Sequence, residues 1–411
     1  MLFNRDRALS LMKRFSVDGL VAATRENVTY LSDFAPWGQA VHKYFQRPNF
    51  VVFPRDQDQS LALLIYPGEA TYVAAYPSWI EEIYTYGRPH QVRYEGKGPK
   101  TLEEERFLSA LEETKVKGKN AAEALARLLD ERGLAHAHIA LDHEGMAVEI
   151  KNSLRVALPQ AKFSDASDLF RLIRMVKTQD EIERLRKAAA LNEKAMQAIF
   201  KKAYVGCSEL ELAGEFHGEI AKERGQVEWL HLGSGRRSEG IFPPSAKRLE
   251  AGDLLRSDAG SILDSYHADT CGTGVLGEAT EKQARLFAAG QGAIAACLEI
   301  LRPGCRPSQL LEALNQGISK GGVPNLKKDF VGHTIGIEAR EFPFELGEPK
   351  KLASPFLPET TDIPLEPNMV VNIEVALVEL GFGGIQIEHT AALKDGGFEF
   401  IVPQERVLIQ I

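Results

Sequence analysis

Apolar residues recur along this chain with two periods, and the switches between them lay out its organisation. From Asp6 to Phe15 they are spaced as on one face of a short amphipathic helix, which leads into the apolar strand GLVAA. A helix-like turn then enters NVTYLSDF, and NFVVFP and SLALLIYP read as buried strands, each ended by proline. Asn120 to Arg132 returns to the helical period and stops at Gly133, a suitable C-cap, before the strand HIALD. Strands alternating with helices predict an α/β domain with a mostly parallel or mixed sheet over residues 1–168.

A second region, 169–411, opens with a capping box at Thr178 and Glu181. The helix it starts runs to about Tyr204, with Ile182, Leu185, Ala189, Met196 and Ile199 on one face. Beyond it, strands alternate with helices such as Glu281 to Leu301, with no repeat and no low-complexity tract. Here the pattern carries its main anomaly, because acids stand inside apolar strands. Asp258 lies in LLRSDAG, Asp269 in YHADTCGTG, Glu374 in MVVNIEVAL and Glu388 in GGIQIEHTAAL, while His333 lies in the glycine-rich FVGHTIG. A buried carboxylate without a partner costs several kcal/mol, so these flanks call for a compensating cation. Four carboxylates and one imidazole form a mainly oxygen shell suited to Mn²⁺, Co²⁺ or Zn²⁺, and bridging carboxylates can hold two such ions. A paired-metal site generates hydroxide near neutral pH and clamps an in-line attack. A turn around Leu263 to Asp264 would form a hairpin with Asp258 and Asp269 on one face. His267, Asp269 and Cys271 share a strand face, and Gly332 and Gly336 let backbone approach His333 closely.

Composition narrows the classes. The chain has 411 residues, enough for two cored domains, and 44% hydrophobic with 26% charged residues is ordinary globular usage. A net charge of −8 without a basic stripe argues against nucleic acid as a partner. Cys207, Cys271, Cys297 and Cys305 form no CxxC pair and read as reduced thiols. With neither a signal-type apolar stretch nor an 18-residue apolar run, the expectation is a cytoplasmic protein without membrane contact.

Taken together, the ligand segments resemble the pita-bread metallopeptidases, most closely the aminopeptidase P, prolidase and creatinase branch. GDLLRSDAG resembles GDLVLxDxG, YHADT resembles YxSDxTRT, and GHTIGIEAREFP resembles GHGIGLxxHExP. NIEVAL and GIQIEHT are similar to TxEPGxY and GxRxED, and RMVKTQDEIERLRKAA to the usual entry into the catalytic domain. The opening RDRALSLMKRFSVDGLVAATRENVTYLSDF also resembles the N-terminal domain of that branch. The resemblance implies an α/β N-terminal domain followed by an α+β pita-bread catalytic domain, and two divalent ions, with Mn first and Co, Zn or Fe as alternatives. It implies that Asp258 chelates one ion, that Asp269 and Glu388 bridge both, and that His333 and Glu374 complete the second. Glu374 would also take the proton from the bridging water. It further implies a homodimer or larger homo-oligomer, with the segment around Trp37, His42, Tyr44 and Phe45 near a neighbouring subunit's site.

The departures concern the groups that hold and protonate a peptide. Peptidase members carry a histidine where Ile241 falls, a second where Arg340 stands, and an arginine where Gln386 stands; TRT becomes Cys271-Gly272-Thr273. Arg340 cannot act as a general acid near neutral pH, but its planar fork suits a carboxylate. His267 and His231 are the candidate replacement proton donors, Arg340, Gln386 and Ile241 the candidate substrate contacts, and His389 is expected on the opposite face from Glu388. The leading expectation is therefore a dinuclear-metal hydrolase breaking a C–N bond in a small, carboxylated, non-peptide molecule, with weak or no turnover of Xaa-Pro dipeptides. The alternatives are an Xaa-Pro dipeptidase or aminopeptidase, and a metal-free binding protein on the same fold.

Overall fold

The computed structural model describes residues 1–41, 47–88, 96, 98–323, 326–403 and 405–411. The chain forms two compact units, Met1–Ile173 and Arg174–Ile411. In the first, six strands are β1 (Gly19–Ala22), β2 (Phe50–Pro54), β3 (Ala62–Ile65), β4 (Glu82–Thr85), β5 (His138–Leu141) and β6 (Lys162–Asp165). They lie in the order β4-β3-β2-β1-β5-β6. The sheet is mixed: β2 is antiparallel to β1 and β3, and the other pairings are parallel. β1, β2 and β3 are buried throughout, which is why GLVAA, NFVVFP and SLALLIYP read as continuous apolar runs. Asn120 caps the helix Ala121–Glu131, and Gly133, at φ +69°, takes the left-handed turn beyond it. Trp37 stacks on Tyr72 at 5.5 Å between ring centroids, whereas His42, Tyr44 and Phe45 lie outside the described residues.

The second unit has two sheets. One has the order β11-β10-β12-β13-β14, from β10 (Phe330–Thr334), β11 (Glu341–Gly347), β12 (Val370–Glu379), β13 (Gly383–Lys394) and β14 (Gly397–Phe400). The other runs β15-β9-β8-β7, from β7 (Gln226–Ser234), β8 (Leu254–Leu263), β9 (Tyr266–Val275) and β15 (Ile409–Gln410). Helices cover the outer faces. The helix Gln179–Lys202, two residues shorter than its periodicity suggests, packs on β8 and β9, where Asn192 Nδ2 donates to the Ala259 carbonyl at 2.8 Å. Helix Glu281–Ile300 sets Gly290 against Ile385 and Ile387 of β13. The inner faces remain for the acids.

The entry to this unit is a buried ionic knot. Lys177 Nζ lies 2.8 Å from Glu341 Oε2, and Arg174 Nε lies 3.5 Å from Glu341 Oε1. Next to it, the capping-box acid Glu181 is fully buried and accepts from the Tyr266 hydroxyl at 3.1 Å. Burial first, and then Glu341 nearby, push its carboxyl from 4.5 up to about 8. A raised folded-state value makes its contribution complete below the unfolded value and lost as pH climbs towards the folded one. Relative to Glu181→Gln, the wild type is thus expected to lose stability between pH 4.5 and 8, by at most ~1.4 kcal/mol per unit. Parallel urea unfolding of both proteins at several pH values checks this; parallel profiles would refute it.

Candidate metal centre

Two hairpins and one strand carry the five predicted ligands. β8 and β9 are joined by Asp264 and Ser265, both at positive φ (48° and 69°), a two-residue turn matched to strand twist. Its register pairs Gly260 with Asp269 and Asp258 with Cys271, leaving both aspartates on one face. In the β12–β13 hairpin Glu374 and Glu388 are direct cross-strand partners. Two like charges placed so are destabilising unless something positive lies between them. His333 stands on β10 opposite Asn372. The preceding Gly332 has φ +144°, and a Cβ there would fall 1.8 Å from the Asn372 carbonyl, so only glycine lets β10 approach β12.

The polar atoms show what is missing from the donor count. His333 Nδ1 lies 3.1 Å from the Thr334 carbonyl, and Nε2 lies 3.1 Å from Asp269 Oδ2. Burial depresses the His333 value, outweighing the pull of Glu374 towards the charged form, so the ring is neutral and has one N–H. A carbonyl can only accept, which assigns that proton to Nδ1. The Nε2 lone pair then faces Asp269 Oδ2, a contact that needs either a carboxyl proton or a shared cation between the two atoms. Asp269 Oδ1 and Glu388 Oε2 are buried, and no donor among the described residues reaches them. Burial, reinforced by the neighbouring acids, holds the carboxyls of Asp269 and Glu388 well above the usual range and raises that of Glu374. Among the described residues no three of these groups already converge on one point. Neutral donors hold them: Gln386 Nε2 donates to Asp258 Oδ2 (2.9 Å) and Glu374 Oε2 (3.0 Å), Trp229 Nε1 to Asp258 Oδ1 (3.0 Å), and Asn372 Nδ2 to Glu388 Oε1. An oxygen-rich donor set with one imidazole and stranded carboxylate oxygens fits divalent ions, and four carboxylates balance two of them.

Residues 183–395 match the model of Metallopeptidase family M24, and residues 5–176 match the Creatinase/Prolidase N-terminal domain. The chain belongs to metallopeptidase family M24. It is similar to an Xaa-Pro dipeptidase of Lactobacillus delbrueckii subsp. lactis, 25% identical over 67% of this chain and 73% of the relative. It is also 27% identical to the Xaa-Pro dipeptidase of Pyrococcus furiosus, over 60% of this chain and 69% of that one. The X-Pro aminopeptidase structure from Thermotoga maritima MSB8 superposes with a TM-score of 0.74 at 21% identity, covering 98% of this chain and all of that one. As an M24 member with a pita-bread catalytic domain, the protein is a metal-dependent hydrolase, and its family uses a dinuclear divalent metal centre. The comparisons support the peptidase alternative and give no support to a non-peptide substrate. No helix among the described residues is long and apolar enough to cross a membrane.

The remaining M24 site candidates scatter. His231 is the cross-strand partner of Asp258 and so shares its face. His267 Nε2 lies 3.0 Å from Glu228 Oε2, an ion-pair partner the sequence reading did not anticipate. Arg340 is half exposed, with Nη1 3.3 Å from Glu345 Oε1, yet close enough to stabilise the charged forms of Asp269 and Glu374. Ile241 is 72% exposed. Gln386 corrects one expectation: both protons of its amide are committed to Asp258 and Glu374, so it orients carboxylates rather than presenting that NH₂ to substrate. His389 turns to the other face, its ring 4.9 Å from that of Phe400. Trp229, Asn372, Glu228 and Arg406, whose Nε donates to the Glu388 carbonyl at 2.8 Å, were not singled out from sequence. Asn372 had a readable signal, since it precedes Glu374 by two on one strand face.

Proposed function

We propose that this M24 protein is a dipeptidase that hydrolyses the C–N bond of short peptides, Xaa-Pro dipeptides among them. The observation that carries it is the set Asp258, Asp269, His333, Glu374 and Glu388, buried at His333 and Glu388 and with undonated oxygens on Asp269 and Glu388, in a chain whose relatives are named Xaa-Pro dipeptidases. These five residues would hold two divalent ions, Mn²⁺ being the best suited to the oxygen majority. When bound, the ions polarise the scissile carbonyl and lower the pKa of water. Glu374, its Oε2 fixed by the Gln386 amide, holds and moves the proton of the attacking water. His231, beside Asp258, and His267, oriented by Glu228, are the groups that can return a proton to the leaving nitrogen. Arg340 offers its fork to a carboxylate, a role the C-terminus of a dipeptide fills as well as any non-peptide acid.

The test is hydrolysis of Gly-Pro and Ala-Pro by Mn²⁺-reconstituted protein, beside their C-terminal amides. Free dipeptides are expected to be cleaved with kcat/KM above ~10⁴ M⁻¹s⁻¹, and the amides at least ~10-fold more slowly. A second reading, hydrolysis of a carboxylated non-peptide amide, is favoured by Ile241 and Arg340 standing where peptidase members carry histidines. It would replace the first if dipeptides were inert while an N-aryl amide acid was cleaved.

A further inference from the structure

We propose that Trp229 is a positioning residue of this centre, acting on the ion position that uses Asp258 and on no other. The inference rests on the metal-binding reading above and extends it to a residue outside the ligand set.

Three observations carry it. The first is local geometry. β7 has a register irregularity between Val227 and Trp229, so Glu228 is the extra residue and Trp229 comes to lie opposite Gly260. A bulge of this kind re-aims the side chains beside it. The second is space. A Cβ added to Gly260 would lie 2.2, 2.3 and 2.4 Å from Cη2, Cζ3 and Cζ2 of the Trp229 indole. Gly260, between Trp229 and Asp269 in the sheet register, is therefore the gap that admits the ring beside the aspartates. The third is the hydrogen-bond pattern. The indole N–H donates to Asp258 Oδ1 at 3.0 Å, while Gln386 donates to Oδ2 at 2.9 Å. Asp258 is held from both sides, whereas Asp269 Oδ1 and Glu388 Oε2 have no donor among the described residues.

An indole N–H donates only and does not titrate in the working range, so it cannot compete for a metal ion. It fixes the carboxylate plane and leaves the remaining lone pairs of Asp258 for a cation. The pair His333 and Asp269, 3.1 Å apart, lies on the other side of Gly260 and receives no hydrogen bond from Trp229. Removing the indole donor should thus weaken one ion position and spare the other. Loss of such an outer partner typically costs about 10- to 100-fold in metal affinity.

Trp229 also reports on itself. The chain has three tryptophans, and Trp37 and Trp79 belong to the first unit, so Trp229 is the only one in Arg174–Ile411. Metal-free wild type, Trp229→Phe and Gly260→Ala are titrated with Co²⁺, followed by calorimetry and by tryptophan emission. Wild type is expected to bind two ions, with emission quenched as the Asp258 position fills. Trp229→Phe keeps an aromatic ring but loses the donor. It should bind one ion with unchanged affinity and the other about 10- to 100-fold more weakly, without the quenching step, and with the melting temperature of the metal-free protein retained. Gly260→Ala, which displaces the ring, should show the same selective weakening. Wild-type affinity at both positions of Trp229→Phe, or equal weakening of both, overturns the inference while leaving the metal reading intact. A wild type that binds no Co²⁺ overturns both.

Discussion

Asp269→Asn and Glu388→Gln are each expected to leave a folded protein that retains less than one ion per chain and turns over at least ~10³-fold more slowly, about 4 kcal/mol of lost transition-state stabilisation. Both changes are isosteric, and each removes a buried carboxyl whose charged form burial already disfavours. The metal-free variants should therefore be no less stable than metal-free wild type. What they lose is the gain from ligand binding, which for the wild type at 100-fold excess over Kd is about 2.7 kcal/mol. Metal analysis and thermal unfolding with and without Mn²⁺ separate these effects. Full occupancy together with wild-type turnover in either variant would remove that residue from the centre.

Lys177→Met should cost about 3–5 kcal/mol. It leaves Glu341 buried with the guanidinium of Arg174, 3.5 Å away, as the remaining cation of the pair of ion-pair contacts that Glu341 makes within the knot. The double variant Lys177→Met/Glu341→Leu should recover most of that loss, because burying two apolar chains avoids the desolvation of two charges. The knot also bears on the centre. The Thr334 hydroxyl donates to the Glu341 carbonyl, and a Cβ at Gly336 would strike the Glu341 carboxylate at 2.5 Å, so Glu341 backs the segment that carries His333. Lys177→Met is accordingly expected to release metal more readily than wild type. Urea unfolding of the single and double variants decides the matter; a single-variant cost below about 1 kcal/mol would show the pair to be ornamental.

What could be read from the sequence follows the range of the interactions involved. β1, β2, β3 and β5 announced themselves because burial writes apolar runs, whereas the partly exposed β4 (EIYT) and β6 (KFSD) write none; the capping box at Thr178 is a four-residue signal. The ligands were legible for the opposite reason: an acid such as Glu374 inside VVNIEVAL is costly without a cation. Apart from Asn372, two positions before Glu374, the orienting donors were not legible. Gln386 and Asp258 are 128 residues apart, and no local pattern says that one amide will serve both Asp258 and Glu374. The substrate expectation turned on placements of the same range. The absence of histidines at 241 and 340 is visible in sequence, but the two that could stand in, His231 beside Asp258 and His267 on Glu228, are placed by sheet register.

The two hairpins have a consequence for how such a centre can assemble. Asp258 and Asp269 are brought together by a two-residue turn, Glu374 and Glu388 by the short connection of Leu380 to Phe382. Closing loops of that length takes little chain entropy, so each acid pair forms from contacts close in sequence. The expensive closures are those between hairpins, and they are driven by the apolar faces of amphipathic helices such as Gln179–Lys202, which lays Leu191, Met196, Ile199 and Phe200 on the outer face of a sheet. Chain collapse thus brings the acids together as two separate pairs, and a cation that draws the pairs to one point would release the protons that burial holds on Asp269 and Glu388.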